Sequence, residues 1–315
     1  MRALVTGANG QTGSYVVEKL LARGRTVVGL VRRRTHSRDV TNLDLAGATN
    51  RGTSANDRFS LRFGDVTQPE TWADVFQYNT FDAVFHLADQ DHVRDSVLTP
   101  GLSAATTYGA TASLLEHVLR FSKKTLVFVP SSATIFGDDA PDATETTALR
   151  PMSPYAIAKA GVLHLARYYR DQGLGVTCGI LYNHDSTRRK DDYLLHRVCR
   201  LAKTPETSEG ALRLLAAIPT TYSLGHAADY ADGMIDLILK AKPNDYVMSC
   251  DPPVSANELV RFVTGRNYHG PENIKNRVWG RSFRAFQAIN WTPRPWQHTV
   301  AEVMREYGLY QKETV

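Results

Sequence analysis

The sequence predicts an α/β protein with a doubly wound parallel sheet and a smaller C-terminal lobe. Short apolar segments alternate with amphipathic segments along much of the chain, which is the pattern of parallel strands connected by helices. A glycine-rich segment directly follows the first apolar segment, and the alternation weakens after about Leu181. The alternation therefore locates the sheet, the glycines mark one functional edge of it, and the weaker pattern marks the lobe.

Each predicted strand is a short apolar run, and the predicted helices show helical spacing of their apolar residues. The predicted strands are Arg2–Thr6, Thr26–Val31, Phe59–Phe63, Ala83–Leu87, Thr125–Pro130, Val176–Leu181 and Tyr246–Ser249. The predicted helices lie near Thr12–Arg23, Glu70–Tyr78, Ser103–Ser122, Pro154–Gln172, Tyr193–Ala202 and Ala227–Lys240. The polar segment His36–Arg58 has no clear period, and we predict a long loop there.

The composition is that of an ordinary globular protein, with 43% hydrophobic and 22% charged residues in 315. No apolar run has the length of a membrane span and the first residues already form a predicted strand. We therefore expect a cytoplasmic protein without a signal peptide or a membrane segment. Cys178, Cys199 and Cys250 lack the spacing of a metal or redox site and are predicted as buried, reduced thiols. The net charge of +5 suits small anionic ligands, and no basic segment interleaved with aromatic residues indicates nucleic acid.

Three glycines with the spacing G-x-x-G-x-x-G lie between the first strand and the first helix. Glycine backbone at such a turn can approach a diphosphate closely, and the N–H groups at the start of the helix attract its charge. A purely structural turn is the alternative, but the strand before and the helix after favour a dinucleotide site. The residues predicted to contact the cofactor here are Gly7, Asn9, Gly10, Gln11, Thr12 and Gly13.

The end of the second strand indicates which dinucleotide is bound. It reads Val31-Arg32-Arg33-Arg34 and has no acidic residue. An acidic residue at this place binds the adenosine ribose of NAD, whereas an arginine can bind the 2′-phosphate of NADP. We therefore predict NADP rather than NAD, with Arg32 and Arg33 as ligands, and a solvated basic turn is the alternative. The ends of the next two strands add further predicted cofactor contacts, namely Asp65, Val66, Leu87 and Ala88.

A tyrosine and a lysine lie one helical turn apart in Tyr155-Ala-Ile-Ala-Lys159, after the helix start Ser153-Pro154. Because an ammonium group favours phenolate, we expect Lys159 to lower the pKa of Tyr155 so that it acts as an acid or base near neutral pH. Ser132 ends a strand at the same edge, where its hydroxyl can bind the reacting oxygen. A surface tyrosine and lysine are the alternative. With the glycine turn, the three residues predict a hydride-transfer site in which Tyr155 and Lys159 also contact the cofactor.

The predicted elements divide the chain into two parts. Residues 1–181 and 224–250 are predicted to form an NADP-binding Rossmann domain, because the helix and strand of 224–250 continue its alternation. Residues 182–223 and 251–315 are predicted to form a smaller, irregular lobe that binds the substrate.

The glycine turn, Ser132, Tyr155 and Lys159 together resemble the extended short-chain dehydrogenase/reductase family, whose members mostly modify nucleotide sugars. Further stretches are similar to the GDP-mannose 4,6-dehydratase branch of that family. They are Val31-Arg-Arg33, Leu87-Ala-Asp-Gln-Asp-His-Val93, Gly179-Ile-Leu-Tyr-Asn-His-Asp-Ser-Thr-Arg-Arg189, Gly225-His-Ala-Ala-Asp-Tyr230 and Ala288-Ile-Asn-Trp-Thr-Pro293. The resemblance covers nearly the whole chain and implies an NAD(P)-dependent enzyme that acts at C4 of a nucleotide-linked hexose through a 4-keto intermediate.

One departure from the branch concerns the type of reaction. Two residues after the active-site Ser or Thr the dehydratases have a glutamate, which eliminates water from C5 and C6, whereas this chain has Thr134. A threonine hydroxyl cannot take the C5 proton at neutral pH. The segment Ser131-Ser-Ala-Thr-Ile-Phe-Gly137 instead resembles UDP-galactose 4-epimerases. We therefore place a 4-epimerase first, and the alternatives are a GDP-mannose 4,6-dehydratase-like enzyme, an NADPH-dependent 4-keto-sugar reductase and a non-catalytic NADP-binding protein.

The resemblance also indicates residues that contact a nucleotide-sugar substrate, namely Asp91, Ser132, Thr134, Asn183 and Arg189. Asp91 stands where the branch usually has serine, close to the bound sugar. We predict that it binds sugar hydroxyls or replaces the missing base, and the alternative is a solvated loop carboxylate. An arginine of the nucleotide pocket is absent, with Tyr222-Ser-Leu224 in its place, and the C-terminal R-P-x-E is not recognisable. The nucleobase and the sugar therefore stay open.

The family also implies an assembly. Its members usually dimerise through two helices per subunit, which correspond here to Ser103–Ser122 and Pro154–Gln172. In the dehydratase branch, the loop after Val31-Arg-Arg33 also contacts a neighbour across a tetramer. The resemblance therefore implies a homodimer or a homotetramer, and for the loop from Arg32 to Asp44 a mobile surface segment is the alternative.

Overall fold

A seven-stranded sheet forms the centre of the molecule in a computed structural model that describes residues 1–32, 41–50, 53–77, 79–189 and 193–309. The strands of these ranges are β1 (Arg2–Thr6), β2 (Thr26–Val31), β3 (Thr49–Asn50), β4 (Thr53–Ser54), β5 (Phe59–Phe63), β6 (Ala83–His86), β7 (Leu126–Ser132), β8 (Asp139–Ala143), β9 (Val176–Leu181), β10 (Asn183–Asp185), β11 (Thr220–Tyr222), β12 (Leu224–His226), β13 (Asp245–Met248), β14 (Val254–Ser255) and β15 (Asn276–Gly280).

The central sheet confirms the predicted fold class. Its strand order is β13-β9-β7-β6-β1-β2-β5, and each neighbouring pair is parallel. From β1 the chain continues outward through β2 and β5, and it then returns to the other side of β1 through β6, β7, β9 and β13. The order therefore reverses between β1 and β6, and a ligand crevice forms at such a point, outside the carboxyl ends of the strands. The strands predicted for this sheet are all present, with ends that differ by at most two residues.

Helices connect the strands and cover the sheet. Those of the described ranges are α1 (Gln11–Ala22), α2 (Thr41–Leu45), α3 (Pro69–Gln77), α4 (Val93–Leu98), α5 (Pro100–Ala104), α6 (Ala110–Phe121), α7 (Pro154–Asp171), α8 (Leu194–Ala202), α9 (Pro205–Ala216), α10 (Ala227–Lys240), α11 (Ala256–Thr264), α12 (Phe283–Ile289) and α13 (Trp296–Glu306). A π-helical turn at Ala105–Gly109 joins α5 to α6, and a 3-10 helix covers Ala133–Phe136. Among the helices in the described part of the chain, none combines the length and the hydrophobicity that crossing a lipid bilayer requires.

Two sequence predictions about helices and loops are corrected. The helix predicted over Ser103–Ser122 is not one regular helix, because the wider π-helical turn interrupts it after α5. The loop predicted over His36–Arg58 contains α2 and the short strands β3 and β4, while residues 33–40 and 51–52 lie outside the described ranges. The side chain of Asn9 accepts a hydrogen bond from Leu43 N–H at 3.2 Å, and the Leu43 side chain is fully buried. These tertiary contacts stabilise α2, which is too short to show a sequence period.

Both faces of the central sheet are buried, which explains why its strands are apolar runs rather than alternating ones. On one face, Leu4 of β1 belongs to an apolar cluster with Trp72 of α3 and Leu114 of α6. On the opposite face, Val5 of β1 belongs to a cluster with Val16 of α1 and residues of α10. Successive side chains of one strand thus contribute to two separate cores, and α1 lies on the face opposite α3, α6 and α7.

A third apolar cluster lies in the residues predicted as the substrate lobe. It joins α8, α9, α11 and α13 through Leu195, Leu212, Leu259 and Val300. Two contacts cross the predicted boundaries, because β8 pairs with β15 and Trp291 packs in the cluster that contains α10. The division of the chain at residues 181, 224 and 250 stays a prediction.

Candidate active site

The glycine turn after β1 is packed so closely that side chains do not fit at two of its positions. Gly7 has a φ of +63°, and a Cβ atom there would lie 2.7 Å from the Leu87 carbonyl oxygen. A Cβ atom at Gly13 would lie 2.2 Å from the carbonyl oxygen of Gly7. The N–H of Ala88 donates to Thr6 Oγ1 at 3.0 Å. The turn therefore lies directly against α1 on one side and against the end of β6 on the other.

The start of α1 fits a dinucleotide diphosphate. Ser14 N–H donates to the Gly10 carbonyl oxygen at 3.0 Å, so the N–H groups of Gln11, Thr12 and Gly13 come before the first hydrogen bond of the helix. Gly10 is exposed, and a Cβ atom there would lie 3.1 Å from the Gly7 carbonyl oxygen, with no other described residue beyond its chain neighbours within 4 Å. Accessible backbone at the positive end of a helix is what binding of a diphosphate requires.

The side chains of Gln11 and Thr12 bind protein groups. Gln11 Nε2 donates to the His184 carbonyl oxygen at 3.2 Å, and Gln11 Oε1 accepts from Ser186 Oγ at 3.0 Å. Thr12 Oγ1 lies 2.9 Å from Nε2 of His184. These contacts fasten residues 184–186 to α1. The cofactor contacts predicted for Gln11 and Thr12 are therefore assigned to their backbone N–H groups, and they stay predictions.

The residues predicted to distinguish NADP from NAD lie at the ends of β2 and β5. Arg32 is exposed immediately after β2, and Arg33 lies outside the described residues. Hydrogen bonds from Thr67 lower the pKa of Asp65, and the nearby charge of Arg32 contributes to the same effect. Val66 is buried in the core, so its backbone is the part available to a ligand. Arg32 is thus the described cation at the predicted ribose position.

Two adjacent serines at the end of β7 have different roles. The buried Ser131 Oγ donates to the carbonyl oxygen of Lys159 at 2.9 Å, which fixes α7 against the strand. Ser132 is only partly buried, and its hydroxyl accepts a hydrogen bond from Thr134 Oγ1 at 3.0 Å. Successive residues of a strand point to opposite faces, so one serine anchors the helix and the next is presented at the sheet edge.

Helix α7 brings Tyr155 and Lys159 to the same edge. Its start is fixed by Ser153, whose Oγ accepts from Ala156 N–H at 3.1 Å, and by Ser96, whose Oγ accepts from Tyr155 N–H at 3.2 Å. One helical turn later, Lys159 Nζ lies 5.6 Å from the centre of the Tyr155 ring. The hydroxyl of Ser132 is in polar contact with the phenol. The structure therefore brings Ser132, Tyr155 and Lys159 together, as the sequence predicts.

A carboxylate that the sequence analysis did not single out, Asp89, also belongs to this cluster. It forms an ion pair with Lys159 Nζ, which in addition donates to the Pro130 carbonyl oxygen at 2.8 Å. Thr107 Oγ1 donates to the other carboxylate oxygen of Asp89. The only sequence signal for Asp89 was its place inside the stretch that follows β6, two residues before Asp91.

The pKa of Tyr155 differs from the one that the sequence predicts. Burial raises the pKa of Tyr155 above its ordinary value of 10.0, and the carboxylates of Asp89 and Asp91 add to the rise. The Lys159 ammonium and the Ser132 hydroxyl oppose the rise without reversing it. The expectation that Lys159 brings this pKa near neutral is therefore not met by the protein groups alone. Burial by itself would lower the pKa of Lys159, but the ion pair with Asp89 raises it, so the ammonium stays charged.

Asp91 lies in a surface cluster with Tyr193 and Arg189. Tyr193 OH donates to Asp91 Oδ2 at 3.0 Å, and the Arg189 guanidinium lies 3.4 Å from the centre of the Tyr193 ring. Arg189 Nη2 is 3.8 Å from Asp91 Oδ2, and the Asp91 side chain is 61% exposed. Two of the predicted substrate residues are therefore neighbours, and they are joined by Tyr193, which belongs to no recognised sequence motif. Asn183, a third, is exposed at the start of β10.

The comparison with known families decides the family to which the chain belongs. The sequence model of GDP-mannose 4,6 dehydratase matches residues 4–294. The chain belongs to this family. The GDP-mannose 4,6-dehydratase sdnI of Sordaria araneosa is 31% identical over 99% of this chain, and the chain spans 61% of the length of that protein. The GDP-mannose 4,6 dehydratase 1 of Arabidopsis thaliana is 28% identical, and the match covers 98% of this chain and 89% of the relative.

Solved structures share the fold of this member of the GDP-mannose 4,6-dehydratase family. The UDP-glucose 4-epimerase of Thermotoga maritima, solved with UDP-glucose, has a TM-score of 0.80 at 20% identity, with 98% of each chain covered. The dTDP-glucose 4,6-dehydratase DesIV of Streptomyces venezuelae, solved with NAD bound, has a TM-score of 0.79 at 22% identity, with 99% of each chain covered. The predicted doubly wound fold and the resemblance to extended short-chain dehydrogenases/reductases are confirmed. The chain thus belongs to the GDP-mannose 4,6-dehydratase family and shares its fold with nucleotide-sugar epimerases and dehydratases of known structure.

Proposed function

We propose that the chain binds NADP and converts a nucleotide-linked hexose through oxidation at C4. The observation that carries this proposal is the convergence of Ser132, Tyr155 and Lys159 at the carboxyl edge of the sheet, where only β6 separates the strand of Ser132 from the strand that leads into the glycine turn. A binding module without catalysis has no need for an alcohol, a phenol and an ammonium group at that edge. The substrate is proposed to lie between this edge and the predicted lobe, with Asn183 and Arg189 among its contacts.

Each of the three side chains has a distinct role in the oxidation. Tyr155 takes the proton of the 4-hydroxyl group as the general base. Ser132 accepts a hydrogen bond from Thr134, so its own proton is available to bind the reacting oxygen. Lys159 uses two of its three donors on Pro130 and Asp89, which leaves one for the nicotinamide ribose. The chemistry that NADP would supply, when it is held beside these residues, is a reversible acceptor for the C4 hydride.

We propose NADP rather than NAD because of the charge at the end of β2. The described cation there is Arg32, which is exposed and near enough to Asp65 to act on its pKa. An arginine at this place can bind a 2′-phosphate, whereas the acidic residue that binds the free ribose of NAD is absent from Val31-Arg-Arg-Arg34. The measurement that tests this is the ratio of dissociation constants for NADP and NAD, and tighter binding of NAD would contradict the proposal.

The curated relatives named GDP-mannose 4,6-dehydratase favour dehydration, which reverses the order that Thr134 alone suggested. Dehydration removes the C5 proton and expels the C6 hydroxyl as water once C4 is oxidised, so it needs a base on that side of the sugar. We assign this role to Asp91. Of the two carboxylates whose charges act on Tyr155, Asp89 is paired with Lys159, whereas Asp91 is 61% exposed and oriented by Tyr193.

A second candidate function is 4-epimerisation, and Thr134 is the observation that favours it. Its hydroxyl donates to Ser132 at 3.0 Å, at the place where the dehydratases carry their glutamate. Epimerisation needs no base at C5, because the 4-keto sugar only has to receive the hydride on its opposite face. The structure of this edge therefore supports C4 oxidation in both cases, and the two functions differ in the fate of the ketone.

Product analysis separates these functions. The purified chain is incubated with NADP and, separately, with GDP-mannose, UDP-glucose and dTDP-glucose, and each product is analysed by mass spectrometry and by the absorbance of reduced nicotinamide. Loss of one water supports dehydration, and a changed sugar of unchanged mass supports epimerisation. In a separate incubation with NADPH and a nucleotide-linked 4-keto sugar, stoichiometric consumption of NADPH would indicate a reductase. Tight NADP binding without conversion of any sugar would contradict the enzymatic proposal.

We also propose that the chain forms a homodimer through α7, which is one of the two helices that the family resemblance implies, together with the adjacent α4 and α5. Large apolar side chains of these helices are exposed in the single chain, namely Val97, Leu98, Leu102, Ile157 and Tyr168. An exposed apolar patch of this kind marks an interaction surface. Light scattering of the purified chain tests the proposal, and a monomer at micromolar concentration would contradict it.

A further inference from the structure

The buried carboxylate Asp89 is bound to the ammonium group on which the proposed function relies. Its Oδ2 pairs with Lys159 Nζ, and its Oδ1 accepts from Gln90 N–H at 2.8 Å and from the hydroxyl of Thr107. The side chains of Asp89 and Lys159 are only 11% and 4% exposed. Asp89 is thus fixed by the protein on both oxygens, which distinguishes it from a solvated loop carboxylate.

The π-helical turn between α5 and α6 supplies one of these contacts. Thr107 lies within Ala105–Gly109 and is 2% exposed, and its carbonyl oxygen accepts from Thr111 Oγ1 at 2.7 Å. Wider turns of this kind are rare and often occur at functional sites. Here the turn directs a hydroxyl at Asp89, so Asp89 is oriented by a different part of the chain from the helix that carries Lys159.

The charges that face the phenol of Tyr155 come from two elements. Lys159 lies on the same helix, and Asp89 and Asp91 lie on the loop after β6. Ser132 of β7 contributes a neutral hydroxyl. Among these groups Lys159 is the cation, and Asp89 is the anion paired with it.

The ammonium of Lys159 faces two further titratable groups on the sheet. His86 of β6 is neutral, because burial lowers its pKa to about 3 and Lys159 lowers it as well. Cys178 of β9 is also neutral, because burial raises the pKa of its thiol to about 12. Neither group supplies a charge near neutral pH, so Asp89 is the carboxylate that balances Lys159.

We propose that Asp89 is a positioning residue of this site, which fixes Lys159 beside Tyr155 and sets the net charge that the phenol experiences. The proposal rests on the proposed function only in taking Tyr155 as the residue that exchanges a proton. The ion pair of Asp89 and Lys159 has no net charge. It therefore stabilises the phenolate of Tyr155 much less than an unpaired ammonium would. Asp89 therefore makes Tyr155 a stronger base that is deprotonated at higher pH.

The sign of the effect follows from the two charges. Without the Asp89 carboxylate, the phenolate is no longer repelled by it and is stabilised by an uncompensated ammonium, so the pKa of Tyr155 falls. The ammonium loses its ion pair, so the pKa of Lys159 falls as well. Removal of this one charge should therefore shift both limbs of the pH profile towards acid, by about one unit for the limb that reports Tyr155.

The experiment uses the full chain with Asp89→Asn, Asp89→Ala and the matched control Thr107→Val. The control removes a contact to Asp89 but keeps its charge. Turnover is measured against pH for each protein, and the ionisation of Tyr155 is followed by tyrosinate absorbance as the difference from Tyr155→Phe. The two Asp89 variants should shift both measurements towards acid by about one unit, and Thr107→Val should leave them in place. Folded Asp89 variants with unshifted profiles would overturn the proposal.

The absorbance titration also separates this inference from the proposed function. It requires no turnover, so a shift without conversion of any sugar would leave the Asp89 inference standing and contradict the enzymatic proposal. Turnover of a sugar with a pH profile that the Asp89 variants do not shift would support the enzymatic proposal and contradict the Asp89 inference. If neither Asp89 variant folds, the titration of the unmodified chain decides. Ionisation of Tyr155 above the ordinary tyrosine range of about 10 agrees with a neutralised ammonium beside the buried phenol, and ionisation below it would overturn the proposal, because it requires an uncompensated ammonium.

Discussion

The cofactor edge and the substrate side of the molecule are built in different ways. At the cofactor edge, Gly7 and Gly13 touch backbone so closely that no side chain fits, and Lys159 is almost fully buried. On the substrate side, Asp91 is 61% exposed and Asn183 is an exposed residue. The residues proposed for hydride transfer are thus tied to the packing of the fold, whereas the residues proposed to decide the fate of the ketone are surface side chains. Replacement of these surface residues should therefore change the chemistry at little cost in stability.

Replacement of Tyr155 tests the cofactor edge and should have the largest effect on turnover. Tyr155→Phe removes the general base but keeps the ring, so turnover should fall by about 10³-fold while NADP binding is retained. Steady-state kinetics and a cofactor-binding titration measure the two quantities. Tyr168→Phe is the matched control, because Tyr168 lies more than three helical turns from Tyr155 on α7 and the exchange keeps the apolar ring of the proposed dimer surface. Equal activity of the Tyr155 variant and the unmodified chain would remove the proposed role.

Replacement of Asp91 tests the substrate side. Asp91→Asn should slow the loss of water by about 10²-fold, because the assigned base is removed, while oxidation at C4 continues. Transient accumulation of reduced nicotinamide with little dehydrated product is the expected signature. If dehydration proceeds at the unmodified rate, Asp91 is not the base.

Two further variants sharpen that test. Asp95→Asn removes an exposed carboxylate four residues along the same segment and should leave dehydration unchanged. Thr134→Glu, introduced into the Asp91→Asn background, places a carboxylate beside Ser132 and should restore part of the lost rate. Failure of this restoration would indicate that the site lacks room or orientation for a carboxylate there.

The two regions also differ in how much of them the sequence predicts. The glycine turn, Ser132, Tyr155 and Lys159 follow from local spacing, because each motif lies on a strand end or on one helical turn. The pairing of Lys159 with Asp89 does not follow, because it depends on the loop after β6 and on a π-helical turn that no local periodicity reveals. For the same reason the sequence predicts a lowered pKa for Tyr155, whereas the structure raises it. This pKa is set by burial and by charges that only the tertiary structure brings together.

Helix α2 and Tyr193 show the same limit on a smaller scale. The helix Thr41–Leu45 lies in a polar segment and is held by the side chain of Asn9, which is distant in sequence. Tyr193 joins Asp91 to Arg189, and its hydrogen bond to Asp91 spans 102 residues of the sequence. Patterns of a few residues locate the strands and their motifs, whereas contacts between distant segments complete the substrate side.

A substitution in the glycine turn tests whether the cofactor edge depends on close packing. Gly13→Ala would place a Cβ atom 2.2 Å from the Gly7 carbonyl oxygen, so the backbone must shift. We expect the free energy of unfolding to fall by about 3 kcal/mol and NADP binding to weaken. Gly210→Ala in α9 is the control, because within the described residues its added Cβ would meet no atom of another element within 4 Å. That control should be neutral or more stable by up to about 1 kcal/mol, since alanine favours helix. Equal stability of the two variants would contradict close packing at the turn.

His184 connects the substrate side to the cofactor edge. We expect its titration to have the smallest and most specific effect, which is on the stability of the fold. Its Nδ1 lies 2.9 Å from the Tyr182 carbonyl oxygen and its Nε2 2.9 Å from Thr12 Oγ1, and its ring stacks on Tyr230 with centres 4.4 Å apart. Burial lowers the pKa of His184 to about 4, below the ordinary value of 6.5. The folded protein therefore contains the neutral ring that accepts the Thr12 hydroxyl.

The pH dependence of stability follows from this lowered pKa. Between about pH 6.5 and about pH 4 the unfolded chain binds a proton at His184 more readily than the folded chain does. The stabilisation is therefore complete above about pH 6.5 and is lost as the pH falls towards 4. At about pH 5 the loss from this residue should be about 1 to 2 kcal/mol. Denaturant unfolding near pH 7 and near pH 5 measures it, as the difference between the unmodified chain and His184→Gln, which can still bind Thr12. An identical pH dependence of the two proteins would show that folding leaves the pKa of His184 unchanged, which would contradict a buried, neutral ring at this contact.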